Sequence, residues 1–116
     1  MFTKITHLRN SVTYVEAKGK LDIYNTEDYL EEIKGAIAYT EELILEFSHI
    51  TYVTSIGLRA ILELQKIMQE RDCKLKLKNV NEEVLNVFKI TGFDKFLTIV
   101  NDNTTNNDDN LNKIDT

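Results

Sequence analysis

Apolar and polar positions change period several times along the chain, and each change marks an element. Residues 1–8 alternate loosely, with Phe2, Ile5 and Leu8 set against Thr3, Lys4 and Thr6. Asn10-Ser11 is a turn signal, and Val12-Thr13-Tyr14-Val15-Glu16-Ala17 after it is rich in strand formers. Two short strands around a tight turn predict an antiparallel hairpin. Gly19-Lys20-Leu21-Asp22 closes the second strand. Leu30, Ile33, Ala36 and Ile37 then recur at helical spacing, which predicts an amphipathic helix over residues 26–38. Asn25 or Thr26 is its expected cap, and Glu27 and Asp28 place negative charge where the helix dipole favours it.

Leu43-Ile44-Leu45-Glu46-Phe47 is nearly continuous in apolar character and predicts a central strand buried on both faces, with Glu46 pointing out at its end. From Ser55 to about Arg71, Ile56, Ala60, Leu64 and Ile67 or Met68 form one stripe, widened by Leu58, Ile61 and Leu62. This is the longest predicted helix, and Ser55 is its expected N-cap. Asp72 interrupts the pattern. Cys73-Lys74-Leu75-Lys76-Leu77-Lys78 alternates with period two and predicts a strand. Its three lysines share one face, lining solvent or an edge, or forming a basic docking strip. Asn81 is the expected cap of a third helix carrying Val84, Leu85, Val87, Phe88 and Ile90, with Gly92 as its left-handed end. A last strand is expected near 97–100.

The order β-β-α-β-α-β-α-β implies an α/β domain. A mixed sheet opens with an antiparallel hairpin, and the helices pack mainly on one face. Residues 1–100 form this domain. Beyond Val100, residues 101–116 hold six Asn, four Asp and one Lys, with only Leu111 and Ile114 apolar. That composition buries too little surface to offset its ordering entropy, so a flexible tail is expected, with a short helix at 109–115 as the alternative.

Charge and composition narrow the function. A net charge of −5 opposes general binding to a nucleic-acid backbone. No run approaches the roughly 18 apolar residues of a membrane span, and residues 1–7 show no signal-peptide block, so a cytoplasmic protein is expected. A single cysteine, Cys73, forms no internal disulfide and is expected as a structural strand thiol. No phosphate-binding glycine loop is present, and the four glycines at 19, 35, 57 and 92 are widely spread. His7 and His49 have no second ligand at metal spacing. Ser55, His49 and Asp22 could be imagined as a triad, but Ser55 lacks the G-x-S-x-G setting of a nucleophile. No catalytic, metal or cofactor site is therefore expected. Ser55 is read either as a simple helix cap or as a regulated position, since a phosphate there would lie at the positive end of a helix dipole.

Three stretches together carry a resemblance. They are Gly19-Lys20-Leu21-Asp22; Leu43 to Ser48 followed by Tyr52-Val53-Thr54-Ser55-Ile56-Gly57-Leu58-Arg59; and Asn81 to Phe93 followed by Phe96 to Val100. In this order and spacing, the chain resembles the STAS domain, specifically the single-domain bacterial anti-sigma factor antagonists. The resemblance covers about residues 1–100. It implies a binding module that engages an anti-sigma factor, itself a GHKL-type serine kinase, and so releases a sigma factor. It further implies that the kinase phosphorylates the antagonist at the position of Ser55, and that a PP2C-type phosphatase resets it. ATP belongs to the kinase, so no cofactor is implied here.

By the same resemblance Asp22 matches a loop aspartate beside the acceptor, and Gly57 a glycine that allows close approach of a partner backbone. Asp22, Thr54, Ser55, Ile56, Gly57 and Arg59 are then the partner-binding set, and a monomer or weak dimer is expected. The chain departs from many members in having Thr54, not Asp, before the serine, which makes Thr54 a fallback acceptor. It has Ile56 where many have Ser or Thr after it. Arg59 replaces a small residue; it could pair with a partner's acid or with the phosphate, or stand solvated. The alternative function is a STAS accessory module without phosphorylation, associated with transport or serving as a ligand-binding scaffold.

Overall fold

The computed structural model of the chain describes residues 2–101. The segment expected to be a tail or a short terminal helix lies outside them. The elements are β1 (Phe2–Leu8), β2 (Val12–Leu21), α1 (Thr26–Lys34), β3 (Glu42–Glu46), β4 (Ile50–Val53), α2 (Ser55–Glu70), β5 (Lys74–Lys78), α3 (Glu82–Thr91) and β6 (Thr98–Val100). Short 3-10 turns cover Arg9–Ser11 and Phe93–Lys95. The sheet runs β1-β2-β3-β5-β6, antiparallel in its first pair and parallel in the other three. The opening hairpin and mixed sheet are therefore as the sequence predicts. The turn between β1 and β2 places Asn10 and Ser11 at φ 64° and 60°, a conformation that asparagine tolerates better than most residues.

One strand was not predicted. β4 occupies part of the stretch read as a turn before the long helix. Ile50 and Val53 are buried and Thr51 and Tyr52 exposed, so its four residues show no period-two signal. β4 pairs in parallel with the end of β2, Leu21 opposite Val53, after a register shift between Gly19 and Lys20. Gly19 sits at φ 106°, and its amide donates to the His49 carbonyl at 2.9 Å. The same edge of β2 thus carries β3 along Val12–Glu16 and β4 along Gly19–Leu21.

Register explains the core. Leu43 pairs with Leu75 and Leu45 with Leu77, and all four are buried. They pack in one cluster with Tyr29 and Ile33 of α1, with Leu58, Ile61, Leu64 and Met68 of α2, and with Val84 and Phe88 of α3. β3 is not buried on both faces, as predicted, because Ile44 is only half-buried on the other side. There Ile44 lies between Tyr14 and Lys76 in register, and Glu42 bonds Lys76 at 2.8 Å. The lysines of β5 do share this face, but β5 lies between β3 and β6 rather than at an edge.

α1 ends at Lys34, four residues earlier than predicted, with Gly35 at its C-cap. The loop after it is pinned from α2: the Arg71 guanidinium donates to the Ala38 and Thr40 carbonyls at 3.2 and 2.9 Å. Asn81 caps α3 as predicted, its Oδ1 accepting from the Val84 amide at 2.8 Å. Its Nδ2 donates to the Ile50 carbonyl at 3.0 Å, tying α3 to the start of β4. Gly92 ends the helix at φ 80°. Among the described residues, no helix is long and apolar enough to cross a membrane.

Glu46 lies on the face away from the core, yet only 8% of it is exposed. Its carboxylate accepts from the Tyr14 hydroxyl at 2.7 Å, the Asn79 side-chain amide at 2.9 Å and the Ser48 backbone amide at 3.2 Å. Burial is the largest single influence and pushes this carboxyl up. Together the hydrogen bonds outweigh it and hold the group below its usual range. The ionised carboxylate therefore joins β2, the β3–β4 turn and the end of β5.

Two outcomes follow from this packing. A Cβ at Gly57 of α2 would lie 2.7 Å from the Leu21 Cβ, 2.8 Å from the Leu21 carbonyl oxygen and 2.9 Å from the Val53 Cγ1. None of these is the end of a flexible side chain. Gly57→Ala should therefore lose about 1–2 kcal/mol in urea unfolding, the overpacking exceeding the helix preference of Ala. Unchanged stability would show that α2 docks more loosely. For Glu46, a depressed folded pKa gives stability present above the unfolded carboxyl value and lost as pH falls through the folded one. Glu46→Gln should be less stable than wild type at neutral pH, with the gap closing toward strong acid. Parallel stability curves across that range would contradict it.

Candidate functional site

The candidate site forms where β2 and β4 end side by side. Leu21 and Val53 are register partners, so the residues after them, Asp22 and Thr54, emerge together although 32 positions apart. The Leu21 carbonyl accepts two hydrogen bonds from Thr54, one from its amide and one from its hydroxyl, both at 2.9 Å. Thr54 is extended, at φ −83° and ψ 176°, and its carbonyl accepts the Leu58 amide at 2.9 Å, the first bond of α2.

Thr54, not Ser55, therefore holds the cap position. Its hydroxyl turns toward β2 rather than onto the helix. Ser55 is the first helical residue. It is exposed, and its hydroxyl has no hydrogen-bond partner among the described residues. The helix then alternates sharply between surface and core. Ile56 and Arg59 are exposed, whereas Gly57 and Leu58 are buried. The close approach that Gly57 permits within the chain is to Leu21 and Val53. The first turn of α2 carries no acidic residue, unlike α1 with Glu27 and Asp28 and α3 with Glu82 and Glu83.

Asp22 shapes the loop between β2 and α1. Its Oδ1 accepts the Tyr24 amide at 2.9 Å, and its backbone carbonyl accepts the Thr26 amide at 3.0 Å. Asn25 turns its Oδ1 back onto the Asp22 amide at 3.1 Å. This compact turn presents Ile23 and Tyr24 to solvent, 68% and 90% exposed. With Ile56 at 42% and Tyr52 at 38%, they give the strand ends an apolar surface. Ile23, Tyr24 and Tyr52 were not singled out from sequence. The available signal was a pair of large apolar residues between a strand end and a helix cap, outside either period.

His49 does not join Ser55. It lies in the β3–β4 turn and lines a depression of about 400 Å³ with Tyr14, Glu46 and Asn79, to which neither Ser55 nor Asp22 contributes. Among the described residues there is no cluster of three or more His, Cys, Asp or Glu side chains able to hold a metal.

The sequence and fold have known relatives. The anti-sigma-B factor antagonist of Bacillus subtilis is 25% identical over 85 residues, spanning 73% of this chain and 78% of that protein. The Bacillus protein SpoIIAA, an anti-sigma factor antagonist, superposes in its unphosphorylated form with a TM-score of 0.73 at 18% identity, covering 84% of this chain and 87% of that one. Its phosphorylated form gives 0.68 at 17% identity, covering 84% and 90%. The murine anion transporter Slc26a9 contains a similar fold, with a TM-score of 0.68 at 19% identity, covering 77% of this chain but 16% of the transporter. The family model described as the STAS domain matches residues 4–106, and the chain belongs to the STAS-domain family.

Proposed function

We propose that this chain is an anti-sigma factor antagonist that binds an anti-sigma factor serine kinase through the ends of β2 and β4, and is switched off by phosphorylation of Ser55. The observation that carries the reading is the contrast between two adjacent hydroxyls. Thr54 is half-buried and bonded to the Leu21 carbonyl, while Ser55 is exposed and unbonded. A kinase reaches Ser55 without disturbing the sheet; phosphorylating Thr54 would break the bond that docks α2. Ser55 thus takes the role, and Thr54 serves as its support. Relationship to anti-sigma factor antagonists, and the existence of SpoIIAA in both phosphorylated and unphosphorylated forms, support the same reading.

The step itself needs no group from this chain beyond the Ser55 hydroxyl. The γ-phosphoryl of ATP held by the kinase passes to the Ser55 oxygen, ADP leaves, and the hydroxyl proton goes to a base of the kinase. The product carries roughly two negative charges at the start of α2, where the helix dipole and the lack of an acidic first turn tolerate them. Fold and switch are then independent. A partner packed on Ile23, Tyr24 and Ile56 would exclude water from the phosphate, and desolvating such a charge costs several kcal/mol. Binding is lost, the anti-sigma factor recaptures its sigma factor, and a PP2C-type phosphatase restores the hydroxyl. The protein acts in the cytoplasm as a monomer or weak dimer, without a cofactor.

A second reading, a transport-associated STAS module without phosphorylation, is favoured by the similar folds inside Slc26a9 and in a sulfate transporter family protein of Wolinella succinogenes. Incubation with the cognate kinase and ATP separates the two. Intact mass should rise by one phosphoryl group in wild type and in Thr54→Val, and stay unchanged in Ser55→Ala. Ser55→Asp should bind the kinase at least about tenfold more weakly, a loss of about 1.4 kcal/mol, with an unaltered circular dichroism spectrum. No mass change in wild type with an active kinase would remove the first reading. Loss of phosphorylation in a folded Thr54→Val would return the acceptor role to Thr54.

A further inference from the structure

The exposed surface of α2 carries a row of residues at four-residue spacing, Ser55, Arg59 and Glu63. Residues so spaced are neighbours on a helix, and an acid placed four before a base is the favourable orientation. Arg59 is exposed and has no ion pair or hydrogen bond among the described residues. Glu63, the acid that could serve it from the next turn, is engaged elsewhere. Its carboxylate lies 2.8 Å from the Lys34 ammonium of α1, and Lys34 also reaches Glu31 at 3.6 Å. The hydrogen bond to Glu63 holds the Lys34 ammonium above its usual range, in keeping with that commitment. The remaining neighbour of Arg59 at this spacing is Ser55, which carries no charge until modified.

We propose that Arg59 pairs with the phosphate on Ser55, the neighbour at this spacing that is not already committed to another charge. The inference rests on the reading of Ser55 as the modified residue and adds how the modified state is held. A planar guanidinium suits a phosphate through two parallel N–H donors, which an ammonium cannot offer. Capture also changes what a partner meets. In the unmodified chain the Arg59 guanidinium is free to contact an acidic group on the docking protein. Once phosphate is present, the same donors are occupied within the chain. Phosphorylation then adds a dianion and withdraws a cation in a single event.

The test uses the full chain with phosphoserine inserted at position 55 during translation, so that no kinase is involved. The second ionisation of the phosphate is followed by 31P NMR as pH is varied. A paired guanidinium favours the dianion and lowers the midpoint. Arg59→Gln should raise it by about 0.3 pH unit, the size expected for an exposed helix pair. Arg59→Lys should fall between the two. The difference should shrink in about 1 M salt, where the screening length is about 3 Å. Lys66→Gln, which removes an exposed charge further along α2, should leave the midpoint unchanged. Equal midpoints in wild type and Arg59→Gln would overturn the pairing. So would an equal shift in Lys66→Gln, since that marks a general field rather than a contact. Because the phosphate is installed independently, a negative result here leaves the kinase reading standing, and a kinase that ignores Ser55 leaves this measurement intact.

Discussion

The Leu21 carbonyl is the point on which the surface around Ser55 depends. It accepts both the amide and the hydroxyl of Thr54, and the Leu21 side chain lies against the one residue of the first α2 turn that has no Cβ, Gly57. These contacts set the start of the 16-residue helix on the end of β2. The Ser55 side chain takes no part in them. An exposed hydroxyl with no bond to break, at a helix start fixed by its neighbours, can be altered at little cost to the fold. Ser55 differs from an N-cap serine, whose oxygen bonds the first-turn amides.

The turn that leads into β4 is itself held by polar groups on the open face. Glu46 gathers Tyr14, Ser48 and Asn79, which fixes the turn from β3 into β4. Asn81 adds a bond to the Ile50 carbonyl while capping α3. The four-residue strand β4 contributes few ladder bonds of its own, so these side chains account for its definite place beside β2. A partially satisfied carboxylate in this position would be destabilising; three donors make it a brace. Rigidity at Thr54 is thus inherited from residues well away from Ser55.

Much of this was legible in the sequence, and the misses share a cause. Long periodic segments such as 55–70 and 74–78 declare themselves, and Asn81 and Gly92 mark the third helix by well-understood end chemistry. β4 did not, because four residues with the pattern buried-exposed-exposed-buried match neither period. Overlooking it hid the pairing of Leu21 with Val53, and with it the roles of Thr54 and Gly57. A serine before an apolar stripe looks like a cap, and only the register of β4 shows the threonine taking that place. Likewise a glycine next to a candidate interface suggests a partner's approach, and its part in the chain's own packing shows only once Leu21 and Val53 are seen beside it. Residue types in the site were readable; which way each faced was a tertiary property.

Facing is what gives the proposed switch its logic. Over six residues the chain alternates between tasks: Thr54 bonds inward, Ser55 and Ile56 face out, Gly57 and Leu58 go into the core, and Arg59 returns to the surface. A phosphate at Ser55 would touch only the outward members. It would leave the contacts of Thr54, Gly57 and Leu58 as they are, so the fold has no reason to respond. The message must then be read by whatever covers Ile23, Tyr24 and Ile56, as a change in the charge and hydration of one surface. A switch of this kind needs no second conformation of the chain that carries it. It requires only that the modified oxygen and the groups that answer it, Arg59 foremost, stand on the same exposed side of a helix whose inner side is fully committed.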